Sequence, residues 1–95
     1  MVLEVALFDV QPGTEQAFAA GYQRVRQAVL HSPGCLNMRM TQGIETPNRF
    51  VLLVEWESVE AHLAFRDSDR FTTWRGGIGQ FFATPPRVEH FADLG

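Results

Sequence analysis

The segment Phe50–Glu57, FVLLVEWE, restricts the fold more than any other part of this 95-residue chain. Side chains along a strand point alternately to opposite faces. Phe50, Leu52, Val54 and Trp56 therefore share one face, while Val51 and Leu53 lie on the other, ahead of Glu55. An antiparallel sheet covered by helices on one side should alternate apolar with polar residues. This strand is apolar on both faces, and Val2–Val10 is nearly so. The chain reads as one domain, residues 1–95, with no spare helix to cover a second face. A second copy pressed sheet against sheet is the simplest cover, and roughly 800 Å² per partner is typical of a stable interface. A homodimer is expected.

The remaining punctuation gives the element order. Val2–Val10 is a β-rich run stopped by the turn pair Pro12-Gly13. Thr14 and Glu15 open a helix, with a hydroxyl to cap free N–H groups and a carboxylate at the positive end of the dipole. Phe18, Gly21/Tyr22, Val25 and Ala28/Val29 follow at three-to-four spacing, and Ser32-Pro33-Gly34 ends the stripe. Cys35–Thr41 reads as a strand and Gly43–Asn48 as a loop. After Phe50–Glu57, Ser58 is a good N-cap and Glu60 lies in the first helical turn. Ser68-Asp69 restarts a helix, in which Phe71, Trp74/Arg75 and Ile78 keep the spacing until Gly76, Gly77 and Gly79 loosen it. Pro85-Pro86 breaks the chain before a last short strand, Arg87–Phe91. The order β-α-β-β-α-β is the ferredoxin-like arrangement, an α+β fold on an antiparallel sheet.

Composition excludes several functions. The net charge is −3, the eight basic residues are scattered Arg, and there is no Lys, so no basic field awaits nucleic-acid phosphates. No apolar run approaches the ~20 residues that span a bilayer. The opening MVLEVALFDV lacks a basic n-region and reads as a strand, so a cytoplasmic protein is expected. Cys35 has no partner for an intrachain disulfide and reads as packing. His31, His62 and His90 fall on three different elements with no HxH, HxxxH or CxxC spacing, so no metal site is expected.

Candidate chemistry gathers after Trp56. His62 lies three residues before Phe65 and four before Arg66, on a shared helix face. Its imidazole suits a general base that takes a phenolic proton; the plainer alternative is a histidine satisfied at the helix–sheet seam. Arg75 offers a fixed fork for a phenolate, carboxylate or enolate oxygen, or else is solvated or paired with Asp67, Asp69 or Glu57. Trp56, Phe65, Phe71 and Trp74 supply flat apolar walls for a planar ligand, though core packing also explains their spacing, above all for Trp56. Asn37, Arg39 and Glu55 are polar residues within strands, either site groups or part of a hydrogen-bonded dimer interface. Glu89 and His90 carry the same interface reading.

Trp56-Glu57-Ser58, Glu60-Ala61-His62, Ser68-Asp69 and Phe71 together resemble the antibiotic biosynthesis monooxygenase family. Pro33-Gly34-Cys35-Leu36 and the closing Pro86-Arg87-Val88-Glu89 fit the same pattern. The resemblance implies a dimeric α+β barrel with helices outside and a pocket in each subunit. It implies a monooxygenase that oxidises a small aromatic phenol, quinol or anthrone with O2 and no cofactor. His62 and Arg75 would be catalytic, with Phe65, Phe71, Trp74, Trp56 and Asn37 against the substrate. The alternative is a non-catalytic dimeric module of the same fold that binds a small ligand. Heme-degrading members carry an Asn, a Trp and a His at positions that fall near Ala6, on Phe65 and on Arg75, so heme degradation is not expected.

Overall fold

In the computed structural model, which describes residues 1–95, the doubly apolar strand is β3 (Arg49–Trp56), an inner strand of a four-stranded sheet. The other elements are β1 (Val2–Asp9), α1 (Glu15–Leu30), β2 (Cys35–Gln42), α2 (Val59–Arg66), α3 (Asp69–Ile78), a 3-10 turn (Gly79–Phe81) and β4 (Arg87–Phe91). The strand order is β2-β3-β1-β4 and every pairing is antiparallel, the expected ferredoxin-like topology. β1 faces β3 with Ala6 opposite Leu52, and faces β4 with Glu4 opposite His90.

One face of the sheet carries the core. Ala6, Phe8, Met38, Phe50, Leu52, Val54 and Trp56 are buried there, with Phe18, Tyr22, Val29, Phe65, Trp74 and Ile78 from the helices. Each large side chain removed from water contributes about 1.5–3 kcal/mol. On the opposite face Leu3, Val5, Leu7, Val51 and Leu53 remain half-exposed. No element of the chain covers them, as the two-faced pattern of β3 anticipated.

Local details depart from expectation at three points. The Thr14 hydroxyl does not cap α1; it donates to the Gln11 carbonyl at 2.6 Å, and the Glu15 carboxylate accepts from the Gly13 N–H at 3.0 Å. Ser58 caps α2 as expected, accepting from the Ala61 N–H at 3.1 Å, whereas Ser68 donates back to the Phe65 carbonyl at 2.6 Å. Gly76 and Gly77 do not loosen α3, which runs on to Ile78. A Cβ at Gly77 would stand 2.5 Å from Val25 Cγ1, and one at Gly21 would collide with the Gly77 carbonyl. These glycines let α1 and α3 cross almost backbone to backbone.

Candidate active site

The small side chain of Ala6 sits in the middle of the buried sheet face, opposite Leu52. Above it α2 and α3 leave a cavity of about 140 Å³. His62, Phe65, Phe71, Trp74 and Arg75 all reach this cavity, so five of the residues singled out in the sequence meet at one place. The far wall comes from Phe82, Pro86 and Val88. Phe65 and Phe71 pack edge to face with ring centroids 5.7 Å apart, and Phe82 stacks on Phe8 at 5.1 Å.

Two candidates do not line it. Trp56 is fully buried; its ring stacks on His62 with centroids 5.2 Å apart, so it supports the site from beneath. Asn37 lies exposed on the open face, level with Glu55. Cys35 pairs with Trp56 and, past a β-bulge, Asn37 pairs with Glu55, so Asn37, Arg39 and Glu55 share the face on which a second copy is expected. There Asn37 borders a shallow depression with Arg39 and Glu55, away from His62.

The structure adds a group that sequence reasoning passed over. Glu4 is 6% exposed and directed at the cavity from β1. Its Oε1 accepts from the Trp56 indole N–H at 2.9 Å and lies 3.3 Å from His62 Nε2. Its Oε2 accepts from no protein donor, yet no buried side-chain oxygen or nitrogen is left unpartnered, so Oε2 is reached from the cavity. On the far side of the imidazole, His62 Nδ1 is 2.7 Å from His90 Nε2. A carboxyl oxygen beside Nε2 favours a proton on that nitrogen, which makes Nδ1 the acceptor of the His90 Nε2–H. Trp56, Glu4, His62 and His90 thus form one continuous polar chain.

Burial sets the charge state of this chain. It pushes His62 down to about 4, helped by the charges of His90 and Arg66, so the imidazole is neutral at pH 7. Burial raises Glu4, against the Trp56 hydrogen bond and the Arg66 charge. An ion pair between the two would shift each the opposite way, so desolvation outweighs their attraction.

Two arginines complete the cavity. Arg66, one turn after His62, places its charge near enough to act on both Glu4 and His62. Arg75 stacks instead over Phe71 and Phe82, with its guanidinium carbon 5.9 and 5.5 Å from the ring centres. It forms no ion pair with Asp67, Asp69 or Glu57; the ion pair present is Arg49–Asp9, His62 being neutral beside Glu4. Cys35 is half-buried against the core with its thiol raised by burial, as packing requires. No three His, Cys, Asp or Glu side chains converge as a metal site, and no helix is long and apolar enough to cross a membrane.

Fold and site together define a ferredoxin-like α+β protein with an aromatic-lined cavity floored by a buried acid–imidazole pair. The family model for antibiotic biosynthesis monooxygenases matches residues 1–77, and the chain belongs to that family. It is 30% identical over 95 residues to YczJ, an uncharacterized Bacillus subtilis protein, covering 99% of this chain and 100% of that one. It is 37% identical over 65 residues to a 42.8 kDa protein of the Streptomyces coelicolor whiE locus, covering 68% of this chain and 16% of that protein. The crystal structure of a Bordetella bronchiseptica protein assigned to the antibiotic biosynthesis monooxygenases superposes with a TM-score of 0.94 at 38% identity, covering 98% of this chain and 96% of the other. SnoaB, a cofactor-independent oxygenase from Streptomyces nogalater, shares the fold with a TM-score of 0.85 at 16% identity, covering 99% and 93%.

Proposed function

We propose that the chain is a monooxygenase that oxidises a small phenol, quinol or anthrone-type substrate with dioxygen, using no metal or cofactor, as a homodimer. The observation that carries this reading is the Glu4 carboxyl held against a neutral His62 at the border of an aromatic cavity. The Glu4 carboxylate, steadied by the His62 Nε2–H, can accept the hydroxyl proton of a bound aromatic, while the Arg66 charge stabilises the oxyanion that develops. Phe65, Phe71 and Trp74 hold the ring flat and exclude water.

Removing the proton makes the ring electron-rich enough to pass one electron to dioxygen. Recombination of substrate radical and superoxide forms a carbon–oxygen bond, giving a hydroperoxide. For an anthrone the balance is CH2 plus O2 going to C=O plus H2O; one oxygen atom enters the product and the other leaves as water. SnoaB, a cofactor-independent oxygenase by name, supports the reading as a protein on the same fold.

The test is oxygen uptake by purified protein with oxidisable quinols and anthrones. Expected is turnover above autoxidation that falls by about 10²-fold or more in His62→Ala, the usual worth of a positioned acid–base group. A ligand-binding module would instead bind these compounds with no oxygen consumed. Uptake no faster than in buffer across the panel, or turnover that His62→Ala leaves unchanged, refutes the reading.

A further inference from the structure

The cavity has two chemically different ends. Glu4 marks one, with Oε2 open to the cavity and His62 and Arg66 beside it. Arg75 marks the other, because it lies over Phe82, and Phe82 stacks on Phe8. Glu4 and Phe8 are four residues apart on one strand face, roughly 13 Å at 3.3 Å per residue. Between the ends the walls are hydrocarbon, and the volume is about 140 Å³. An engineered apolar cavity of ~150 Å³ takes benzene, so one aromatic ring fills this space.

Arg75 faces this cavity with no carboxylate of its own. A guanidinium left over aromatic rings without an acidic partner is a ready fork for an anionic group on a ligand. Granted that the cavity is the substrate site, as proposed above, we propose that its ligand is a one-ring hydroxyaromatic acid. Its hydroxyl meets Glu4 and His62, and its carboxylate, on a short arm, is held by Arg75. The two arginines then have separate tasks: Arg66 answers the charge that appears on the ring oxygen, and Arg75 fixes the ligand's permanent charge.

The experiment is anaerobic calorimetry with 4-hydroxyphenylacetate, its methyl ester and anthrone, on wild type and Arg75→Gln. Arg75 is exposed, so the variant is expected to fold, and a matching thermal melt verifies this. In wild type the acid should bind at least about tenfold more tightly than the ester, and the preference should shrink with added salt. In Arg75→Gln the acid and ester should bind alike. An ester that matches the acid in wild type overturns the inference, as does an acid preference that survives in Arg75→Gln. Binding of anthrone without the acid also overturns it while leaving the monooxygenase reading intact. Failure of all three ligands to bind overturns it too, and oxygen uptake with the quinol panel then decides the monooxygenase reading separately.

Discussion

His62 makes the stability of this protein depend on acidity in a calculable way. In the folded chain its imidazole stays neutral down to about pH 4, whereas the ordinary value is 6.5. Between those limits the unfolded chain binds more protons, so stability falls as pH drops through the window and is unaffected by this group above it. A gap of roughly 2.5 pH units, at about 1.36 kcal/mol each, sets a ceiling of roughly 3 kcal/mol. That is a large share of the 5–15 kcal/mol typical of a whole domain. Burial shifts Glu4 the other way, so acidification relieves that carboxyl while it penalises His62. His62→Phe keeps a ring on Trp56 and removes both nitrogens with their contacts to Glu4 and His90, so a loss independent of pH is expected beside the part that titrates. Urea unfolding of both proteins at pH 7, 6, 5 and 4 is the assay. The wild-type advantage over the variant should decline by roughly 3 kcal/mol between pH 7 and 4. With an m-value near 1–1.5 kcal/mol per molar, this is a relative midpoint shift of about 2–3 M. A difference that stays constant over the range refutes the buried neutral imidazole.

Gly77→Ala forces a methyl group to 2.5 Å from Val25 Cγ1 and should cost about 1–3 kcal/mol in thermal or urea unfolding, with Val25→Ala restoring part of the loss; an unchanged midpoint contradicts the close crossing of α1 and α3. The half-exposed Leu3, Val5, Leu7 and Leu53 predict self-association through the open face. Light scattering at micromolar concentration should give twice 10.7 kDa, and Leu53→Glu should reduce it to one copy; a wild-type monomer refutes the covered-face argument.

The fold was legible because its strongest signals are local. The two-sided β3, the Ser58 cap and the Pro-Gly turn each follow from short-range sterics and hydrogen bonding. The cavity wall was legible for a related reason: Phe65 follows helical spacing from His62 on α2, Trp74 and Arg75 follow it from Phe71 on α3, and spacing survives folding. Glu4 was missed although its signal was present, as an acid on the same strand parity as Ala6 and Phe8, on a face otherwise wholly apolar. His90 was read as an interface group because its partner is a matter of register, Glu4 opposite His90 across β1 and β4, which no local pattern reveals. Asn37 keeps the company expected of it, with Arg39 and Glu55 on the open face; that this face lies across the sheet from the His62 cavity depends on which side the helices pack, and strand alternation alone does not say that.

The family match stops at residue 77, yet Phe82, Pro86 and Val88 close the cavity and His90 ends the polar chain. The pocket is therefore assembled from two stretches that answer to different pressures. Helices and inner strands must satisfy the interior of the molecule. The closing segment is an edge strand with a proline-broken approach, joined to the sheet through β1 alone. The far wall is thus a second place, besides α2 and α3, where ligand preference can be altered, and a library confined to Pro86 and Val88 would sample it while Glu4, His62 and Arg75 stay in place.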